Sequence, residues 1–219
     1  TIRRDLDALT RDQLIDRTYG GAIRRVTAEP VLTERQRQQV PERQAIARAA
    51  LPALAGARFV MLGSGATTVH VAKRIALEMR DLTVITHSFA AATALALNPT
   101  IETLIVPGRY HASEGAQHGA EAIAFLGSLR ADWAILGASG LSEEGPSDVL
   151  LDAGAVYAAM VRRSERTMVV ADASKFGLVS PSAWARWDTV DVLVSDSPPE
   201  GDLGRAITRA GVELRLGRI

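Results

Sequence analysis

The chain of 219 residues contains no cysteine. This absence excludes disulfide bonds, metal sites built from thiolates and a cysteine nucleophile. No apolar run is long enough to cross a bilayer and no signal peptide is recognisable, so we expect a cytoplasmic protein with no membrane partner. The 25 basic and 25 acidic residues leave no net charge, which argues against a protein that coats nucleic acid along its whole surface.

Lysine is nearly absent as well. Lys73 and Lys175 are the only two lysines, so the other basic residues are arginines. The first fifty residues are slightly basic and the remainder slightly acidic, an asymmetry too small to be decisive. A small basic segment attached to a neutral body therefore remains compatible with the composition.

The N-terminal stretch TIRRDLDALTRDQLIDRTYGGA carries the most specific local pattern. Ile2, Leu6 and Leu9 space apolar groups along a helix whose other positions are charged. A hairpin with Gly20 and Gly21 at its tip follows. A charged helix and a glycine-tipped hairpin are typical of the second half of a winged helix-turn-helix, in which the helix enters the major groove and the wing touches phosphates. A solvated amphipathic helix followed by a linker turn is the alternative.

From Arg58 onward, short apolar runs alternate with helical segments. Strands are predicted at 58–62, 82–86, 101–106, 133–138, 167–171, 190–195 and 212–216, and helices at 69–79, 89–97, 155–164 and 203–210. This alternation predicts an α/β fold with a mostly parallel sheet flanked by helices. Residues 31–54 are predicted helical with a restart at Pro41, and 108–119 are predicted as a loop. We therefore expect a partial DNA-binding segment at 1–26, a helical linker at 27–55 and a ligand-binding domain at 56–219.

Small polar residues follow the predicted strands, where ligands of parallel sheets bind. The sequence Gly63-Ser64-Gly65-Ala66-Thr67-Thr68 leads into a helix and is suited to cradle a phosphate or carboxylate. A structural turn capped by threonine is an equally good interpretation. The sequence is neither a Walker loop nor a GxGxxG fingerprint, because it lacks the lysine of the first and the third glycine of the second.

Three further strand ends have the same character. They are Thr86-His87-Ser88, the glycine-rich Gly137-Ala138-Ser139-Gly140, and the segment from Asp172 to Lys175. Asp172 and Lys175 could orient a sugar hydroxyl and bind a phosphate. Each has a structural alternative: a loop histidine with satisfied hydrogen bonds, a glycine turn, and a surface ion pair or helix cap.

Taken in order, the motifs TIRRDL, RTYGGA, GSGATT, THS, PGR, GASG and DASKF resemble those of the DeoR family of bacterial sugar-responsive transcription regulators. The resemblance implies a fold similar to ribose-5-phosphate isomerase A, glucosamine-6-phosphate deaminase and the coenzyme A transferases. It implies a phosphorylated sugar or related metabolite as effector. The implied effector contacts are Gly63, Ser64, Gly65, Ala66, Thr67, Thr68, Thr86, His87, Ser88, Gly108, Arg109, Gly137, Ser139, Gly140, Asp172 and Lys175. The implied DNA contacts are Thr1, Arg3, Arg4, Arg17 and Tyr19.

The chain departs from the family pattern at several places. His87 stands where asparagine is usual, and Pro107 replaces the first glycine of a Gly-Gly-Arg motif. Tyr157 occupies the place of an expected lysine, and Asp148 or Asp152 would have to replace an expected acid. These departures predict an altered sugar specificity or weaker phosphate binding.

Two functions from different classes fit these motifs, and fold alone does not choose between them. The first is a DNA-binding repressor that senses a sugar phosphate, with operator DNA as partner, no cofactor, no metal and a homodimeric or homotetrameric assembly. The second is a sugar-phosphate isomerase or deaminase, with Asp172, Glu143 or Glu144 as the base. The catalytic set expected of an isomerase is incomplete, so we predict no enzyme. A binding protein that has lost its response is a third possibility.

The first helices of a winged helix-turn-helix have no counterpart before Thr1. An isolated helix of this length is marginal in water. We therefore expect these 219 residues alone not to form a stable DNA-binding domain, and tight operator binding in a gel-shift assay would contradict this.

Overall fold

The computed structural model describes residues 15–18, 21–24 and 30–218, and the chain forms two compact units, 1–30 and 31–219. In the first unit, strands β1 (Ile15–Thr18) and β2 (Gly21–Arg24) pair in antiparallel fashion, with Thr18 opposite Gly21. The two strands lie side by side, and the assignment of a wing to them stays a prediction. Thr1, Arg3, Arg4, Tyr19 and the side chain of Arg17 lie outside the described part of the structure, so the DNA-contact assignments stay predictions.

The second unit is built on a seven-stranded sheet in the order β14-β13-β11-β8-β3-β4-β5, in which every pair is parallel. This confirms the predicted α/β fold. The strands are β3 (Phe59–Leu62), β4 (Leu82–Thr86), β5 (Ile101–Ile105), β8 (Ala131–Leu136), β11 (Ser164–Val170), β13 (Val192–Ser195) and β14 (Glu213–Leu216).

Seven helices are described in this unit: α1 (Leu32–Arg35), α2 (Val40–Ala50), α3 (Ala66–Glu78), α4 (Phe89–Leu95), α5 (Ala120–Gly127), α6 (Leu151–Arg162) and α7 (Gly201–Ala210). They cover both faces of the sheet. Val60 and Leu62 pack with α2, α3 and α4, while Met61 between them packs with α5, α6 and α7. Alternate residues of a strand point to opposite faces, so a strand buried on both sides reads as a continuous apolar run. Within the described residues, no helix has both the length and the apolar character to cross a membrane.

Several small elements were not predicted. Residues 108–119 form a hairpin of β6 (Arg109–His111) and β7 (Ala116–His118), so the loop prediction for this stretch is wrong. A second small sheet joins β9 (Gly140–Ser142), β10 (Gly145–Asp148) and β12 (Ser182–Ala183). These strands have two to four residues each and no apolar alternation, which is the signal that reveals a strand in a sequence. Helix α5 is also absent from the predicted set.

Residues 31–55 of the segment that we predicted as a helical linker lie within the second unit. It contains α1, α2 and a 3-10 turn at Leu51–Leu54. Helix α2 begins at Val40, and Pro41 stands in its first turn, as predicted. Ile46 and Leu54 of this segment are fully buried in the core, so the helices pack on the sheet instead of spanning a gap.

Candidate functional site

Most of the predicted ligand residues that follow strands come together at the carboxyl edge of the sheet. Ser64 follows β3, Thr86 ends β4, Gly137 follows β8 and Asp172 lies just after β11. These four strands are consecutive neighbours in the sheet, in the order β11-β8-β3-β4. A Cβ placed on Gly137 would lie 3.6 Å from the carbonyl oxygen of Ser64, which shows how closely the two strand ends approach.

The loop from Gly63 to Gly65, which we call the glycine loop, turns the chain from β3 into α3. Gly63 is packed tightly, because a Cβ there would lie 3.0 Å from side-chain carbons of Leu136 and Tyr157. Gly65 has φ +126°, which L-amino-acid side chains rarely allow. Helix α3 begins directly afterwards with no side-chain cap, and Thr68 Oγ1 donates to the Gly65 carbonyl at 2.9 Å. The loop therefore brings the N-terminus of a helix to the carboxyl edge of the sheet.

Ser64 is held on two sides by buried rings. Its N–H donates to His87 Nε2 at 3.0 Å, and its carbonyl accepts from the Tyr157 hydroxyl at 2.8 Å. The Ser64 hydroxyl lies 3.0 Å from the same Tyr157 oxygen. Since the Tyr157 proton goes to the carbonyl, the serine hydroxyl donates to Tyr157. Burial and the neighbouring carboxylate of Asp148 raise the pKa of Tyr157, so it stays a neutral donor.

His87, which we predicted as a direct effector contact, has a main-chain partner at each ring nitrogen. Its ring is completely buried, and Nδ1 donates to the carbonyl of Gln117 at 2.8 Å while Nε2 accepts from Ser64. Burial, and then the nearby His118, lower the pKa of His87 to about 3, so the ring is neutral and its tautomer is set by the two main-chain partners. Both ring nitrogens are occupied, and His87 orients the glycine loop.

Thr86 and Ser88 also form hydrogen bonds with main-chain groups of the protein. Thr86 Oγ1 donates to the carbonyl of Leu62 at 2.7 Å and accepts from the Ser88 N–H at 3.1 Å, which ties the ends of β3 and β4 together. The Ser88 hydroxyl accepts from the Ala91 N–H at 3.3 Å and caps α4. The hydroxyls of both residues are engaged by groups of the protein itself, so their predicted effector contacts have no support in these hydrogen bonds.

Arg43, which the sequence analysis missed, forms a buried ion pair with Asp172. Arg43 Nε lies 3.3 Å from Asp172 Oδ2, and both side chains are at most 5% exposed. The other carboxylate oxygen of Asp172 accepts from the N–H and hydroxyl of Ser174. Arg43 also donates to the carbonyls of Arg35 and Gln38. No local sequence pattern pairs residues 129 positions apart, so only the fold reveals this contact.

Lys175 lies close in sequence to Asp172, in the 3-10 turn Ala173–Lys175, and is half-buried. Its N–H donates to the Asp172 carbonyl at 3.1 Å. We predicted that Asp172 binds a sugar hydroxyl and that Lys175 binds a phosphate. The carboxylate of Asp172 already has Arg43 and Ser174 as partners within the protein.

Four further predicted residues lie in or directly before strands of the small sheets. Ser139 directly precedes β9, and its hydroxyl lies 3.4 Å from Asp148 Oδ2. Gly140 packs so closely that a Cβ would come within 2.4 Å of the Leu178 carbonyl oxygen. Gly108 precedes β6, where a Cβ would meet the His118 carbonyl at 2.7 Å.

Arg109, on β6, is exposed and forms an ion pair of 2.7 Å with Asp152 on α6. This contact connects the hairpin with the helix that follows the second small sheet. Asp152 is one of the two acids that we considered as a replacement for the family's acidic residue.

The hairpin β6–β7 also contributes two histidines that we did not predict as site residues. The ring of His118 lies 5.3 Å from that of His87 and 5.7 Å from that of His111, measured between centroids. Burial, and then His111, lower the pKa of His118 to about 4, while Asp152 acts in the opposite direction. A hydrophilic hairpin in place of the predicted loop thus places a neutral imidazole beside the ring that holds the glycine loop.

Comparison with known proteins agrees with this architecture. Residues 38–197 match the family model of the DeoR C-terminal sensor domain. The chain is 30% identical to the HTH-type transcriptional repressor GlcR of Bacillus subtilis, over 98% of this chain and 83% of that protein. It is 28% identical to the glycerol-3-phosphate regulon repressor of Escherichia coli K12, over 99% of this chain and 86% of that protein.

Among solved structures, the tetrameric eIF2B-beta2-delta2 complex from C. thermophilum aligns with a TM-score of 0.53 at 17% identity, over 78% of this chain and 60% of that chain. Ribose 5-phosphate isomerase A from Neisseria gonorrhoeae aligns with a TM-score of 0.45 at 15% identity, over 64% of this chain and 53% of that chain. At 17% identity the likeness to the eIF2B complex concerns the fold alone. The sensor-domain match and the repressor relatives carry the assignment: this chain belongs to the DeoR family of transcriptional regulators.

Proposed function

We propose that the protein is a DNA-binding transcriptional repressor whose sensor domain binds a phosphorylated sugar or a related anionic metabolite. Family membership supports the regulatory role, since GlcR and the glycerol-3-phosphate regulon repressor are both named as repressors. The second of these names also supports a small phosphorylated polyol or sugar as the class of effector. Operator DNA is the macromolecular partner in this proposal.

The observation that carries the effector proposal is the glycine loop at the N-terminus of α3. Main-chain N–H groups in a first helical turn have no partner within the helix, and the helix dipole favours an anion there. The loop is held in place by His87 and Tyr157 before any ligand arrives. A binding site that is already ordered loses less conformational entropy when it binds. We place the phosphate at residues 63–68.

Lys175 is the cation that we place on the same phosphate. A hydrogen bond to a charged group is worth roughly 1.5–3 kcal/mol. Lys175→Met is therefore expected to weaken binding of the effector by about ten- to a hundredfold. Isothermal titration calorimetry checks this, and an unchanged affinity would exclude a direct contact from Lys175.

A thermal-shift screen tests the effector proposal. The panel contains glycerol 3-phosphate, glucose 6-phosphate, ribose 5-phosphate and inorganic phosphate. A compound that binds only the folded state at a hundred times its Kd stabilises the protein by about 2.7 kcal/mol, which raises the melting temperature. If no phosphorylated compound raises it, the sensor proposal fails.

Gly65→Val sharpens the screen, because the new side chain occupies the loop and strains the backbone at φ +126°. Gly56→Val is the matched control. Gly56 also has a positive φ of +82°, but it is exposed and precedes β3 at the opposite edge of the sheet. We expect Gly65→Val to abolish the ligand-induced shift and Gly56→Val to retain it. A ligand-induced shift of normal size in Gly65→Val would show that the glycine loop is not part of the binding site.

We further propose that the protein has no isomerase or deaminase activity. A base that moves a proton must be within reach of the substrate. Asp172 is buried against Arg43, and Glu143 and Glu144 are exposed on the β9–β10 turn. Incubation with ribose 5-phosphate or glucosamine 6-phosphate should give no product by NMR. Measurable turnover would revive the enzyme alternative.

The proposed binding to operator DNA rests on the repressors of the same family. Binding to operator DNA by a form with the complete DNA-binding domain should weaken as salt is added, because arginine–phosphate contacts release counterions. We propose a homodimer or homotetramer, since repeated or palindromic operators match a symmetric protein. Light scattering measures the assembly, and a monomer at micromolar concentration would contradict it.

A further inference from the structure

The imidazole of His118 is a buried polar group that has no hydrogen-bond partner in the part of the chain that the structure describes. The residue is 1% exposed, and both Nδ1 and Nε2 are buried with no partner among the described residues. Buried polar atoms in folded proteins are almost always paired, and an unpaired one is costly. His87, one ring away, shows the usual arrangement, since both of its nitrogens have partners.

His118 lies beside the proposed phosphate site. It is the last residue of β7, and its ring lies 5.3 Å from the ring of His87, which in turn holds the glycine loop through Ser64. The ring of His111 lies 5.7 Å from that of His118. Arg109 pairs with His118 across the hairpin and forms an ion pair with Asp152. The imidazole of His118 therefore lies close to the ring that holds the glycine loop and close to the charges of an exposed ion pair.

The chemistry of the ring selects the group that it can receive. Burial, and then the positive charge that His111 can carry, hold the pKa of His118 near 4, so the ring is neutral at physiological pH. A neutral imidazole has one N–H donor and one nitrogen acceptor. A hydroxyl group also donates once and accepts, so the two match. A phosphate dianion offers only acceptors, so it could take the ring N–H but would leave the unprotonated nitrogen without a donor.

We propose that His118 hydrogen-bonds a hydroxyl group of the effector and so determines which phosphorylated sugar or polyol the sensor accepts. This inference rests on the proposed function and adds a specificity-determining residue to the site. The phosphate occupies the glycine loop, and the carbon chain extends past His87 to His118. The family pattern did not point to this residue, because the hairpin was predicted as a loop.

The test pairs a change in the protein with a change in the ligand. Calorimetry measures the affinity of wild type and His118→Leu for glycerol 3-phosphate, glucose 6-phosphate, ribose 5-phosphate and inorganic phosphate. For each sugar phosphate that binds wild type, single-deoxy analogues are measured as well. A lost hydrogen bond that leaves a buried group unpaired weakens binding by about tenfold or more.

Three results are expected together. Wild type loses about tenfold in affinity for one deoxy analogue. His118→Leu loses a similar factor for the parent compound and no further affinity for that same analogue. Inorganic phosphate binds both proteins equally, because it does not reach the imidazole. His111→Leu, from the same hairpin, is the matched control and should keep the preference of wild type for the hydroxylated compound.

The inference is overturned if His118→Leu binds the parent compound as wild type does. It is also overturned if the two losses add, or if inorganic phosphate binding falls in parallel with sugar-phosphate binding. In each of these cases the proposed sensor function stands. If wild type binds no phosphorylated compound, both the function and the inference fail.

The thermal stability of the ligand-free protein provides an independent readout. An unpaired imidazole contributes no hydrogen bond to the fold, so His118→Leu should leave the melting temperature unchanged or raise it. His118→Asn, which retains a donor and an acceptor, should recover part of the lost selectivity. A fall of the melting temperature by more than about 5 °C in His118→Leu would indicate a structural role and overturn the inference.

Discussion

The glycine loop and the β6–β7 hairpin differ in whether their buried polar groups have hydrogen-bond partners. At the glycine loop, Ser64, His87 and Tyr157 satisfy one another through main-chain and side-chain hydrogen bonds. On the hairpin, His118 is just as deeply buried and has no partner within the described residues. Paired groups stabilise and orient, whereas an unpaired group lowers stability and is retained where a ligand completes it. The difference separates positioning residues from a candidate ligand contact.

The largest loss of stability is expected at the buried ion pair of Arg43 and Asp172, where the paired polar groups are charged. Arg43→Met leaves the carboxylate of Asp172 buried without its cation, which should lower the free energy of unfolding by about 3–5 kcal/mol. Urea denaturation measures this. Arg43→Met combined with Asp172→Asn should recover much of the loss, because no unpaired charge then remains. Arg48→Met, on the exposed face of the same helix, is the control and should cost little.

Lowering the pH should destabilise the folded protein through its buried histidines. The pKa of His118 is lowered from 6.5 to about 4 and that of His87 to about 3, so the unfolded chain binds more protons than the folded one between pH 6.5 and pH 4. The stability is therefore complete above pH 6.5 and falls as the pH is lowered. Each histidine contributes about 1.4 kcal/mol per pH unit, or about 2 kcal/mol between pH 6.5 and pH 5.

His118→Leu should make the pH dependence of unfolding shallower by about that amount over the same range. Urea denaturation at pH 7, 6 and 5 provides the measurement. Identical slopes for the variant and wild type would show that His118 is protonated equally in the folded and unfolded states, and the contrast between the two regions would lose its chemical basis.

Tyr157→Phe probes the glycine loop itself. The substitution removes the hydroxyl that donates to the Ser64 carbonyl and accepts from the Ser64 hydroxyl, and leaves both buried. Thermal unfolding should show a loss of about 1–3 kcal/mol. Tyr110→Phe is the matched control, since Tyr110 is 56% exposed on the hairpin, and it should have almost no effect. Equal effects of the two substitutions would mean that Tyr157 does not hold the loop.

The smallest effect is expected at the exposed end of the hairpin. Arg109→Ala breaks an ion pair in which the side chains are 77% and 52% exposed. Such pairs contribute less than about 1 kcal/mol and are screened by salt. Melting curves in 0.05 M and 0.5 M NaCl should show a small loss at low salt that disappears at high salt. A loss that persists at high salt would indicate that Arg109 has a buried structural contact.

The sequence predicted the central sheet well and its small additions poorly. Runs such as RFVML and TMVVA lie in strands buried on both faces, where nearly every residue must be apolar. The short strands of β6, β7, β9 and β10 carry residues such as Arg109, Gln117 and Ser147, which make no apolar pattern. Their pairing depends on the surface that receives them, so a window along the chain cannot detect it.

The same limit applies to the site. The positions after the strands were predicted to meet at one edge, and Ser64, Thr86, Gly137 and Asp172 do so. The roles within that set depend on partners that are distant in sequence. His87 and Thr86 hydrogen-bond main-chain groups, and Asp172 pairs with Arg43, 129 positions away.

The order of the motifs was enough by itself to determine the family and the parallel α/β architecture, because apolar runs and glycine turns act locally wherever the chain folds. Which polar side chains are already satisfied was decided only by the tertiary structure. A hydrogen bond depends on distances of about 3 Å between atoms of different strands and helices. His87 and His118 are the same residue type in similar burial, and only the packing of the hairpin against α6 and the residues after β4 gives one two partners and the other none among the described residues.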